Sequence, residues 1–186
     1  MLILAAVACK ESPSGEKEKY PKVYRSAPPK VVTGAITWYE KHTPEQERAE
    51  VAAVAKLLQK VIELVDRKEL AGLPNLVSKK RGLWIDLKTH RTHAQLRSEI
   101  ENPDSYLNRF YLDTKKLREY KQDDDALSVR DVLRHTGKLK FNFYMEPGAK
   151  EAELRLFLVD YPPYNYQLNF PVFIKEDGTW KIFRLF

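Results

Sequence analysis

The sequence predicts an α+β fold: a long N-terminal helix packed on a curved antiparallel sheet of four to five strands, with an inserted helical segment. Three observations carry this reading. Residues 43–65 hold apolar side chains at three-and-four spacing, which draws one continuous helical face. Residues 138–145 and 153–160 alternate apolar with polar, the period of half-buried strands. Two runs rich in β-formers, Val172 to Lys175 and Thr179 to Phe186, flank Asp177-Gly178, a pair suited to the positive φ of a tight hairpin.

The helix has a legible start. Thr43 suits the N-cap, Pro44 the first helical position and Gln46 the third residue of a capping box. Val51, Val54, Ala55, Leu58, Val61, Ile62 and Val65 then face one way and make this helix the lid of the sheet. Residues 66–77 read as a helix end and a short second helix broken by Gly72 and Pro74. Lys79-Lys80-Arg81-Gly82 reads as a basic turn leading into a short strand, with Leu83, Ile85 and Leu87 on one face and Trp84 and Asp86 on the other. Short helices follow from Thr92 to Gly137, with Ser105 and Ser128 placed as caps and Asp123-Asp124-Asp125 as a solvated loop.

Four strands are expected in the last third, over 138–145, 153–160, 164–175 and 179–186, with turns at Pro147-Gly148 and Pro162-Pro163. Pro171 inside the third demands a bulge or an edge position. Phe157, Val159, Phe173, Phe183 and Leu185 are expected on the second side of the sheet, covered by the inserted helices or by a second copy of the protein.

The N-terminus reads as an address. Met1 to Cys9 is an apolar run ending in small residues, followed at once by a polar, Pro/Ser/Gly-containing stretch. Ala6-Val7-Ala8-Cys9 resembles a bacterial lipobox, with Ala6 in the place usually held by Leu. No basic residue precedes Leu2, so the true start is expected upstream. The resemblance implies diacylglycerol on the Cys9 sulfur, an anchor worth about 0.8 kcal/mol per buried methylene. Residues 1–9 are then the end of a signal peptide with its lipobox, 10–42 a tether and docking segment, and 43–186 a single α+β domain. Val31 to Tyr39 is the docking part, with Gly34 marking a bend.

Charge agrees with a tether rather than a nucleic-acid surface. The net charge is +6, and the segment from Lys10 to Lys30 alone holds six basic and three acidic residues. The rest of the excess is dispersed over a surface dense in both signs, so no nucleic-acid partner is expected. A single cysteine excludes an intrachain disulfide and a cysteine-based zinc site.

The element order, together with the closing run from Ile174 to Ile182, resembles the cone-shaped fold of the nuclear transport factor two-like superfamily over residues 43–186. The resemblance implies a curved sheet wrapped around the first helix, with a pocket at the open end. It does not imply an activity, because members include isomerases, dehydratases, binding domains and dimerisation modules. Ketosteroid isomerase members use a Tyr and two Asp, but no local motif places these on Tyr144, Asp160 or Tyr161.

Within that frame Asp86 beside Trp84 is the best acid/base candidate, since burial against an indole raises a carboxyl pKa. Tyr161 and Tyr164, with Tyr166, surround a rigid Pro-Pro turn as a ligand-stacking rim would. His90 and His93, with Glu99 or Asp86, are weighed as metal ligands against two plain histidines at a helix start; the plain reading is preferred and no metal is expected. Hydrolase-elbow, phosphate-loop and dinucleotide motifs are absent, so no cofactor is expected. The expected function is that of a lipid-anchored bacterial envelope lipoprotein, periplasmic or surface-exposed, binding a small ligand or an envelope protein without catalysis. A small isomerase-like or dehydratase-like enzyme using Asp86 is the alternative, and a homodimerisation module the third reading.

Overall fold

The computed structural model describes residues 23–38, 43–145 and 150–186. Cys9 and its box, the tether up to residue 22, Tyr39 and the Pro147-Gly148 turn lie outside the described residues.

The first strand, β1 (Lys30–Trp38), precedes the long helix α1 (Pro44–Arg67). The helix starts at its expected cap: Gln46 N donates to Thr43 Oγ1 at 3.2 Å and Thr43 N to Gln46 Oε1 at 3.0 Å. It ends at Lys68, in the left-handed conformation with φ 59°. Val54, Leu58 and Ile62 on its apolar face are fully buried, a gain of about 1.5–3 kcal/mol for each such side chain.

A 3-10 turn (Leu70–Leu76) leads to two short strands, β2 (Leu83–Trp84) and β3 (His90–Arg91). The inserted segment then folds as α2 (His93–Glu101), α3 (Tyr106–Leu112), α4 (Thr114–Lys121) and α5 (Val129–Leu133). Side chains of Thr92, Ser105, Asp113 and Ser128 cap these helices in turn. The last third carries β4 (Lys138–Met145), β5 (Glu151–Leu158), a second 3-10 turn (Pro162–Gln167), β6 (Val172–Glu176) and β7 (Thr179–Arg184).

These strands form one curved sheet in the order β1-β4-β5-β6-β7-β2-β3. β4 to β7 pair antiparallel as expected, and the β6–β7 turn has positive φ at both Asp177 and Gly178. The sheet has seven strands where four to five are expected, and it is mixed: β1 joins β4 and β2 joins β7 in parallel. Two-residue strands carry no period to read, and the direction of a partner is not encoded in one strand's alternation. α1 packs on β1 and β7, and its buried face merges with Leu139, Phe141, Phe143, Leu154, Leu156 and Ile182 in one core.

The segment expected to dock on the domain edge is β1 itself. Its bend at Gly34 is a register shift between Thr33 and Ile36, where Ala35 N donates to Asn142 Oδ1 at 3.0 Å. A Cβ on Gly34 would lie 2.9 Å from the Phe141 carbonyl oxygen, so only glycine lets the strand close there. Before β1, residues from Tyr24 run along α5. The Tyr24 hydroxyl donates to Asp131 at 2.8 Å, Arg25 N to the Arg134 carbonyl at 2.9 Å, and the Arg25 guanidinium to Asp160 at 3.0 Å.

Three local expectations are corrected. The strand placed over 164–175 is confined to β6, because Pro162 and Pro163 start a 3-10 turn and Leu158 N is taken by Asn165 Oδ1 at 2.7 Å. Leu87 does not share the face of Leu83 and Ile85: those two are fully buried, whereas Leu87 is 63% exposed, because the chain turns at Asp86. Phe173 and Leu185 lie in the core and not on the outer side. A bulge against Val172 inserts Phe183 as an extra residue, which returns Leu185 to the inner face.

Candidate functional site

Trp84 and Asp86 lie at the end of β2, where Trp84 pairs with Arg184 of β7. They open on a cleft of about 200 Å³ on the outer side of the sheet. Trp84, Leu87, Val172 and Phe183 give it an apolar surface, and Asp86, Glu151 and Arg184 its polar rim. Sequence reasoning found the first pair and missed Phe183, Arg184 and Glu151. The β7 bulge brings Phe183 and Arg184 outward together, which strict alternation hides.

The rim charges are already committed. Arg184 Nε and Nη2 donate to the Phe170 carbonyl at 2.9 and 2.7 Å, and Nη2 also reaches Glu153 at 3.2 Å. The Arg81 guanidinium lies 3.9 Å above the Phe183 ring and donates to Glu151 at 2.5 Å. The Trp84 ring sits 5.0 Å from His90, whose Nε2 is 2.8 Å from the Arg81 carbonyl oxygen. Both aromatic walls are therefore held by fixed neighbours before anything binds.

Asp86 does different work from that expected. Its carboxylate closes the β2–β3 loop, accepting from Lys88 N and Thr89 N at 2.6 Å each and from Thr89 Oγ1 at 3.3 Å. Partial burial pushes its pKa up, but hydrogen bonds from Lys88 N, the Tyr106 hydroxyl and Thr89 outweigh this and hold it below the usual carboxylate range. The rise expected beside an indole is thus reversed. Tyr106, in turn, is pushed up by burial and by its bond to Asp86, and its ring stacks on Phe110 at 4.0 Å. Next to it Tyr111 is buried, with its hydroxyl 2.7 Å from the Ile85 carbonyl oxygen and 2.6 Å from the main-chain oxygen of Phe186. Asp86, Tyr106 and Tyr111 together fasten α3 to the sheet.

The other candidates are dispersed. Tyr161 is 1% and Tyr164 9% exposed, with ring centroids 4.6 Å apart and His135 beside both. They pack the core and do not form a stacking rim; Tyr166 alone of the three faces outward. His93 Nε2 lies 3.0 Å from the Pro74 carbonyl oxygen, and Glu99 pairs with Arg91 at 2.8 Å while accepting from Leu107 N at 3.2 Å. Among the described residues no group of three or more His, Cys, Asp or Glu could hold a metal ion. Nor is any helix among them long and apolar enough to cross a membrane.

No family model and no curated protein matches the chain. Among solved structures it is similar to a protein from Novosphingobium aromaticivorans provisionally assigned as a scytalone dehydratase, at 12% identity over 76% of this chain and 85% of that one, with a TM-score of 0.41.

Proposed function

We propose that this chain is a lipid-anchored envelope lipoprotein whose cone-like α+β domain binds a ligand or protein partner without catalysis. The observation that carries the binding part is the cleft of Trp84, Leu87 and Phe183, an apolar surface whose charged neighbours are already paired. Its best acid/base candidate, Asp86, is fixed in a turn with its pKa lowered, a state suited to holding the loop and not to storing a proton. The anchor is supported by Ala6-Val7-Ala8-Cys9 and the polar stretch behind it.

Two measurements test the proposal separately. Mass spectrometry of protein extracted from native membranes should find diacylglycerol on Cys9, and an unmodified Cys9 would remove the anchor. Partners or ligands co-purified with the full chain should be lost on Leu87→Asp, a change at an exposed position that leaves the core intact. Retention by that variant would move binding away from the cleft, and turnover of a substrate lost in Asp86→Asn would restore the enzyme reading.

A further inference from the structure

A second groove, of about 270 Å³, lies between α1 and the β6–β7 hairpin, and it shares no lining residue with the Trp84 cleft. Lys56 and Lys60, one turn apart on α1, stand on one wall, and Lys181 of β7 stands on the other. Leu57, Leu76 and the Trp180 indole supply the apolar surface between them. No carboxylate lines the groove. Glu50, farther back on α1, accepts from Lys175 and, at 2.5 Å, from Trp180 Nε1, so its charge is answered and the indole is fixed. Glu63 lies one turn beyond Lys60, half-buried. Among the described residues neither Lys56 nor Lys60 has an ion pair, and Lys181 Nζ reaches a carbonyl oxygen, that of Asn75, at 3.3 Å.

Like charges on adjacent helical turns repel. Three of them facing one concavity raise the local concentration of anions. An inorganic anion would satisfy the ammonium groups but leave the Leu57, Leu76 and Trp180 surface wet, whereas a flat apolar body beside the anion would cover it. We infer that this groove binds a small organic oxyanion, a carboxylate or phosphate carried on a flat apolar group. The headgroup lies between Lys56, Lys60 and Lys181, and the ring lies against Trp180. The inference stands apart from the membrane anchor and from the Trp84 cleft.

The test is a titration of the full chain followed by the indole N–H resonance of Trp180, with 1-naphthyl phosphate, inorganic phosphate and phosphatidylglycerol vesicles as probes. The naphthyl ester should shift that resonance saturably and bind about tenfold more tightly than inorganic phosphate. The Lys56→Ala/Lys60→Ala double variant changes two exposed positions in a helix that favours alanine, so it should keep its spectrum elsewhere and lose about tenfold in affinity. Vesicle binding that shifts the same resonance and needs the same lysines supports the site with a lipid headgroup as the oxyanion's source. Absence of a saturable shift with every probe, equal affinity in the double variant, or equal affinity for inorganic phosphate would overturn the inference.

Discussion

Tyr111→Phe isolates the hydroxyl that joins the inserted helices to the sheet. The ring is buried, and its oxygen lies 2.7 Å from the Ile85 carbonyl oxygen and 2.6 Å from the main-chain oxygen of Phe186. One O–H is shared between the two acceptors, so removing it leaves both oxygens facing a phenyl edge in a dry core. Leaving a buried acceptor unmet costs about 1–3 kcal/mol, and at this chain length each kcal/mol moves Tm by about 2–4 °C. A loss of about 2 kcal/mol, or about 4–8 °C, is therefore expected. Urea unfolding followed by circular dichroism should show a lower midpoint at an unchanged slope, since the variant keeps the same buried area. A midpoint equal to the parent's would refute the claim that this hydroxyl ties α3 to β2 and β7.

Three further outcomes follow from the same contacts. Because the pKa of Asp86 is lowered from its ordinary 3.8, its contribution is present above that value and fades as pH falls through the folded value. Asp86→Asn should thus be less stable than the parent at pH 7, with the gap closing in urea midpoints measured at increasingly acid pH; a constant gap would contradict the turn role. Thr43→Ala removes one half of the α1 capping box and should cost about 1 kcal/mol by chemical unfolding. Gly34→Ala forces a methyl against the Phe141 carbonyl oxygen and should cost about 1–3 kcal/mol, with hydrogen exchange rising first in β1.

What the sequence made legible is what local chemistry determines. Thr43, Pro44 and Gln46 state the start of α1 within themselves, and Asp177-Gly178 states its turn, because caps and tight turns are satisfied by residues a few positions apart. The alternation of β4 and β5 likewise reports their buried face directly. Leu87 departs from its expected face because one side chain, Asp86, ends the strand by gathering two backbone N–H groups. Leu185 departs from its expected face because a single-residue bulge after Ile182 reverses parity, which nothing in Val172 or Phe183 announces, and Phe173 departs because its partner across the two-residue turn is the inward-facing Ile182. The candidate site was half visible for the same reason: Trp84 and Asp86 are neighbours in sequence, whereas Phe183, Arg184 and Glu151 reach them only through the sheet. The lysine groove needed the fold as well, since Lys56 and Lys60 look like a solvated helix face until β7 places Lys181 opposite them.

The arm from Tyr24 to Lys30 also determines how the domain answers a pull. Tension entering from the N-terminal side meets Tyr24–Asp131, then Arg25 on Arg134 and Asp160, then Pro29 and Val31 held by the Gln59 side chain with Lys30 N on the Gly137 carbonyl, and then the rungs of β1 on β4, beginning at Lys30 and Lys138. Pulled across the sheet, these contacts load one after another, whereas a pull along β1 loads its parallel rungs on β4 together. The first contacts release only the arm, but the rungs of β1 also carry Val31, Ile36 and Trp38, which pack against the core, and β1 itself packs on α1. A protein held through this end would therefore give up the arm before Lys30 first, and would begin to unfold only when β1 is drawn off β4.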